Sequence, residues 1–406
     1  MLWTIAWRNV WRNRRRSALT LATIVLAVVL GLLMRSMQYG QYGAMIDSTV
    51  ARTGHVQVFG EGYWDNKSLD RSIHASAETL ERVNSVAGVA DAVPRLESFA
   101  LISFGERTKP SGVIGTNPEI EDRYTALAGR IVEGRYLEVG ERGIILLRSL
   151  ASYLGAGIGD DVVLLGGGYR GQTAADLLPV VGIFDYTLMG NLETGLAYVP
   201  LDAARELYAT PPDQVTSLSV MLDDGDAIDR TAETLQRELG NEFDVMTWRE
   251  TSPEVVQGIQ SDSVGGIFML AILYVVAGFG LLGTVLMSTM ERRREFGVMN
   301  AVGMRKGRLA FVLFMETLVL VFVGVVLGLI VSVPIITWFH YNPIPVTGDL
   351  AAVFEQFNVP PYMPFSVDLG IFLAQGFVVL VMALIVASFP IVSIRRLHIM
   401  RAITGR

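Results

Sequence analysis

The sequence predicts an α-helical membrane protein with four transmembrane helices and a large α/β (α+β) periplasmic domain. Three observations predict it. Four long apolar runs meet the length of a membrane span, about 18 residues or more with few charges. Basic residues cluster at alternate ends of those runs. The stretch between the first and second run reads as a solvated mixed domain, with 34 acidic and 17 basic residues over positions 38–263.

Composition sets the first limits. The chain has 406 residues, 51% of them hydrophobic, and no cysteine. Disulfides, cysteine–zinc sites and thiol nucleophiles are therefore excluded. The four histidines (His55, His74, His340 and His398) stand far apart, so no metal motif is expected.

The first 16 residues carry Trp3, Trp7 and Trp11 at helical spacing, beside Arg8, Arg12 and Arg15. Such a stretch suits a helix lying in the headgroup plane, its indoles toward the acyl boundary and its guanidinium groups toward lipid phosphates. The first span is 17–37. Ser17 to Met34 is uncharged and longer than the 7–15 apolar residues of a signal peptide core. The second span (264–290) and the fourth (369–394) are uncharged, and the third (309–339) holds only Glu316. Pro334 and Pro390 are expected to kink or end their helices. Arginine and lysine crowd the segment before Ser17, the 291–308 loop and the 395–406 tail, whereas the 340–368 loop has neither. The rule that basic loops stay inside places both termini and the 291–308 loop in the cytoplasm, with 38–263 and 340–368 outside.

The outer domain alternates strand and helix patterns. "HVQVFG" (55–60), "SAETLERVNSVAGV" (76–89) and "AVPRLESFALISFG" (92–105) read β-α-β. "SLSVMLDD" (217–224), "AIDRTAETLQRELG" (227–240) and "FDVMTW" (243–248) repeat that order, and both helices contain "AETL". Two such units make a split ferredoxin-like sandwich. A Gly-punctuated, strand-rich insertion at about 112–212 separates them, with a short helix near 148–155. "GGGYRGQT" (166–173) lacks the Lys-Ser/Thr of a phosphate loop and reads as a hairpin turn. Asp223, Asp224 and Asp226 lack the other ligands of a calcium loop and read as the turn before a helix, where acids favour the dipole. No catalytic constellation is visible: neither G-x-S-x-G nor H-E-x-x-H occurs.

Within the spans, Gly324 and Gly328 form G-x-x-x-G, a spacing that lets helices approach closely. Gly278, Gly280 and Gly283 suggest a second close contact. Glu316 sits seven residues into the third span, roughly 10 Å at 1.5 Å per residue, where it can snorkel or pair with an arginine of the loop.

That loop reads "ERRREFGVMNAVGMRKGRL" (291–309). Its arginines account for orientation. Its apolar residues need another reason. Phe296, Met299 and Val302 recur at i, i+3 and i+6, which would set them on one face of a helix. Glu291, Arg292, Arg294, Glu295, Gly297, Ala301 and Gly303 follow an R-x-x-E-x-G-x-x-x-A-x-G pattern. "TWRE" (247–250), "GERGIILLRSLASYLGAGIGDDVVL" and "FPIVSIRRLHIMRAI" (389–403) accompany it. On these residues the chain resembles the FtsX/MacB-type ABC permeases, nearest in layout to the LolC/LolE lipoprotein-transport group.

The resemblance implies that 291–303 is a coupling helix docking in a groove of a separate cytoplasmic ATPase, which would bind ATP and Mg; no cofactor is expected in this chain. It implies a second permease subunit, the same or different, and an inner-membrane location with contacts to lipid. A periplasmic carrier or adaptor is implied as a further partner, and nucleic acid is not. Such complexes transmit motion across the membrane, and the cargo implied is lipoprotein or another lipid-anchored molecule. The alternatives are a tripartite efflux or toxin exporter and a transmembrane regulator of a cell-wall hydrolase.

Overall fold

Among the described residues, four helices are long and apolar enough to cross a membrane: Ser17–Thr53, Pro253–Glu291, Gly307–Tyr341 and Leu369–Ser388. They belong to a computed structural model that describes residues 14–185, 195–302, 304–348, 351 and 362–395. The first helix in full is Arg14–Thr53, 40 residues, or about 60 Å at 1.5 Å per residue. That is twice the ~30 Å hydrocarbon layer, so the helix far outruns the 17–37 span. The second begins at Pro253, where proline lacks only an amide that the first helical turn leaves unbonded anyway. The third, Lys306–Tyr341, contains Pro334 and continues past it; the missing ladder bond does not end the helix.

The chain divides into two compact units. One comprises Met1–Gly43, Ile259–Pro345 and Tyr362–Arg406; the other comprises Ala44–Gly258 and Val346–Pro361.

In the first unit, the third span packs on the first through its glycines. A Cβ at Gly324 would lie 2.7 Å from Ile24 Cγ2, and one at Gly328 would lie 2.7 Å from Val28 Cβ. Both distances are shorter than real carbon contacts, so only glycine allows this approach. The second-span trio behaves differently. Gly278 and Gly280 leave 3.4 Å to Met382 and Thr23, ordinary contact distances, and Gly283 faces open space. Gly278 and Gly280 thus touch the fourth and first spans at ordinary contact distance, whereas Gly283 has no neighbour within 4 Å. The tight points are elsewhere. A Cβ at Gly31 would meet the Tyr274 hydroxyl at 2.6 Å, and one at Gly40 would meet the Pro364 carbonyl oxygen at 2.3 Å.

The second unit is built on a ten-stranded sheet. Its strands in chain order are β1 (Val56–Gly60), β2 (Val89–Phe104), β3 (Arg107–Thr116), β4 (Ile131–Gly134), β5 (Ile144–Leu147), β6 (Asp161–Gly167), β7 (Thr173–Phe184), β8 (Gly195–Pro200), β9 (Ser217–Leu222) and β10 (Phe243–Thr247). The order β10-β1-β9-β2 is wholly antiparallel, the arrangement of a split β-α-β sandwich. Its helices are Ala77–Asn84, capped by the Ser76 hydroxyl, and Ile228–Leu239. The latter buries Ile228, Thr231, Ala232, Leu235 and Leu239, one apolar stripe at helical spacing. These pack on Val56, Val58, Val220 and Trp248.

Six of the strands close on themselves. From β2 the ladder runs through β3, β8, β5 and β7, and β6 pairs with both β7 and β2. These six strands form a closed barrel, and the short β4 pairs only with β7, beside the ring. Ile102, Val113, Leu146, Leu164, Leu178 and Tyr198 share its core. The 16-residue β2 makes both halves possible: Val89–Arg95 pairs with β9, while Arg95–Phe104 pairs with β3. The β-rich part thus starts inside β2, earlier than the expected boundary near 112. "GGGYRGQT" forms the turn of the antiparallel β6–β7 hairpin, where the Gly168 amide donates to the Gln172 carbonyl at 2.7 Å. At the acidic turn, Asp224 Oδ1 accepts the Asp226 amide at 2.9 Å.

Candidate functional site

The second span ends at Glu291, and a separate helix covers Arg293–Ala301. Arg292 makes the break with φ −93° and ψ 6°. Two carbonyl bonds keep the chain running closely through it: the Arg292 amide donates to Ser288 O at 3.3 Å and the Phe296 amide donates to Arg292 O at 3.0 Å.

Phe296 is 4% exposed. It is enclosed by Leu309, Ala310 and Leu313 of the third-span helix, with Met299 and Met304 alongside. Val302 is 84% exposed. The expected single outward face of Phe296, Met299 and Val302 is thus corrected. Phe296 and Met299 turn inward onto the protein's own third span, and Val302 points away. Each step of three residues falls about a sixth of a turn short at 3.6 residues per turn, so Val302 lies about a third of a turn from Phe296, enough to separate it from the buried side.

The outward face is a different set. Glu295, Val298, Ala301 and Val302 are exposed on the short helix and its C-cap, and 295, 298 and 302 follow the i, i+3, i+7 spacing of one helical stripe; Glu291, also exposed, ends the second-span helix just before the break. Gly297 is buried. The side chain of Arg294, all of Gly303, and Trp3, Trp7 and Trp11 lie outside the described residues.

Glu316 is 4% exposed. Arg292 Nη1 donates to its Oε2 at 2.7 Å. Arg292 Nε also donates to Glu295 Oε2 at 3.2 Å, and its guanidinium carbon stands 5.2 Å from the centre of the Phe296 ring. One side chain thereby joins the exposed stripe, the buried phenyl ring and the intramembrane acid.

Sequence reasoning missed the polar ties at the other end of the spans. Gln38 Nε2 and the Tyr42 hydroxyl both donate to Asp262 Oδ2 at 2.8 Å, and Arg35 Nη1 donates to Gln38 Oε1 at 2.7 Å. The Ser36 hydroxyl donates to Ser366 O at 2.6 Å, and the Tyr274 hydroxyl bonds Gln375. Gln38 and Asp262 fall just beyond the apolar runs, where polar residues are ordinary in composition, so only their juxtaposition marks them.

"TWRE" has a local physical meaning. Thr247 ends β10 and forms a capping box: its amide donates to Glu250 Oε2 at 2.7 Å and its hydroxyl donates to the same oxygen at 2.9 Å. Trp248 is buried in the sandwich core. Among the described residues, no group of three or more acids and histidines is placed to hold a metal ion.

The FtsX-like permease C-terminal family matches residues 267–399, and the MacB-like periplasmic core domain matches residues 17–238. The chain belongs to the FtsX/MacB family of ABC transporter permeases. The permease is 25% identical over 258 residues to the lipoprotein-releasing system transmembrane protein LolC of Xylella fastidiosa, covering 62% of this chain and 61% of that one. It is 21% identical over 285 residues to the corresponding LolE protein of Haemophilus influenzae, covering 67% of each. The permease thus spans about three fifths of the length of the curated LolC relatives it matches. Among solved structures, the periplasmic region of MacB from Actinobacillus actinomycetemcomitans is 15% identical and covers 53% of this chain and 98% of that one, with a TM-score of 0.36.

Proposed function

We propose that this permease is the membrane subunit of an ATP-driven export complex that moves lipoprotein, or another lipid-anchored cargo, out of the inner membrane. ATP and Mg would be bound by a separate cytoplasmic ATPase, and a second permease, identical or related, would complete the complex. The termini and the Arg293–Ala301 helix would face the cytoplasm and the 38–263 region the periplasm, following the basic loops. The observation that carries this reading is the short helix between the second and third spans. Its phenyl side is fixed to the third span, while its Glu295–Val298–Val302 stripe is left outward, with Glu291 exposed just before the break. A mixed apolar and acidic stripe on a firmly held helix suits a helix-in-groove interface, with the carboxylates setting register at the rim. The lipoprotein-releasing relatives support the cargo class.

The test is co-purification of the permease with its ATPase, followed by ATP hydrolysis in nanodiscs with and without a triacylated lipoprotein. Stimulated hydrolysis with release of the lipoprotein is expected. No stimulation by lipoproteins removes the cargo assignment, and failure of the ATPase to bind removes the coupling assignment.

A further inference from the structure

We propose that Arg292 and Glu316 are a positioning pair that locks the Arg293–Ala301 helix to the third span, so that displacement of the helix moves that span with it. This rests on the reading of the helix as the ATPase contact.

The pair is buried, with side-chain exposures of 9% and 5%, and its N–O distance is 2.7 Å. Removing two charges from water is costly. Apolar side chains of similar volume commonly hold buried positions as well or better, so such a pair contributes defined geometry more than stability. An ionisable residue inside a membrane segment marks a candidate functional site by default. The geometry here is specific on three counts. Arg292 stands at the break between the second span and the short helix, where its φ of −93° and ψ of 6° interrupt the helical run. Its guanidinium is oriented from two further sides, by Glu295 and by the face of Phe296. Phe296 supplies an apolar anchor on Leu309 and Leu313, one turn and two turns from Arg305 at the start of the third-span helix. A hydrophobic contact and an ion pair on the same two helices resist both sliding and rotation, which neither does alone.

Glu316 also lines a cleft with the hydroxyl-bearing Thr20 of the first span, Thr284 and Ser288 of the second, and Thr317 of the third. The pair therefore delivers any movement of the short helix to the place where three spans meet. In an all-apolar interface the helix could slip by one contact without leaving a charge unpaired. Here slipping separates a buried arginine from a buried carboxylate.

The experiment uses the full chain in nanodiscs. Its lack of cysteine allows spin labels at only two introduced sites, Val298→Cys and Trp338→Cys, both exposed. The parent is expected to give a narrow distance distribution. Glu316→Gln, which keeps an acceptor and loses the charge, should broaden it at least twofold. The swap Arg292→Glu with Glu316→Arg should narrow it again. Should Glu316→Gln fail to insert, Arg292→Lys is measured by the same criterion. With the ATPase bound to the unlabelled, cysteine-free chain, Glu316→Gln should lower cargo released per ATP at least tenfold without loss of ATPase binding, and the swap should recover most of it. A distribution as narrow as the parent's in the single variants overturns the proposal. So does a swap as broad as the singles, since disturbed packing would then explain the loss. A parent that binds no ATPase defeats the coupling reading alone, because the distance distribution still decides the pair.

Discussion

Glu121 is fully buried and accepts three hydrogen bonds: from Arg95 Nε at 3.0 Å, from Arg95 Nη2 at 2.6 Å and from the Thr116 hydroxyl at 2.9 Å. Arg95 also donates to the carbonyl of Arg52, in the last turn of the first long helix. Burial alone would lower the Arg95 pKa; Glu121 outweighs it and holds the guanidinium above its ordinary value. Removing one partner strands a charge, so Arg95→Ala should destabilise the large domain by about 3–5 kcal/mol, whereas replacing both partners with apolar residues should recover most of that loss. Denaturant unfolding of the two variants measures the difference. His55 supplies a pH dependence. Burial depresses its pKa, with Asp47 opposing, and its Nδ1 accepts the Leu222 amide at 3.2 Å, which requires a neutral ring. The unfolded chain takes up this proton near pH 6.5, before the folded chain does. Stability is therefore complete above that value and falls as the pH drops below it. Thermal unfolding at about pH 7.5 and about pH 5.5 should show lower stability in acid, with a smaller difference in His55→Asn.

At the scale of elements, glycine spacing alone does not say which glycine touches a neighbour. Gly328 meets Val28, and Gly283 meets nothing within 4 Å. Gly328→Leu should therefore cost about 1–3 kcal/mol by overpacking. Gly283→Ala should be neutral or stabilise by up to about 1 kcal/mol through helix propensity. Melting of the detergent-solubilised variants separates the two. The same limit explains the Arg293–Ala301 helix. Helical periodicity showed that it carries an apolar stripe, but not that Leu309 and Leu313 of the next element would cover it. The pairing of Glu316 with a loop arginine was legible because an intramembrane acid needs a partner; which arginine was not, because three stand in succession at 292–294. The β-α-β halves were legible because strand and helix periods differ. Closure of the barrel was not, since it depends on β2 pairing with β9 along one half and with β6 near its end, a choice made by strand twist and length rather than by local pattern.

For the whole molecule, the four spans followed from length and charge, since a bilayer tolerates few alternatives. The family followed from the loop motif and is shown by matches that run from residue 17 to residue 399. On the proposed function, coupling depends on one surface, the outward stripe of the Arg293–Ala301 helix. A photoreactive amino acid placed singly at Phe296, Val298, Met299 or Val302 in the assembled complex addresses it directly. Cross-links to the ATPase are expected from Val298 and Val302, which are 52% and 84% exposed, and not from Phe296, which is 4% exposed. Cross-links from Phe296 and Met299 alone, or from none of the four, would contradict the account.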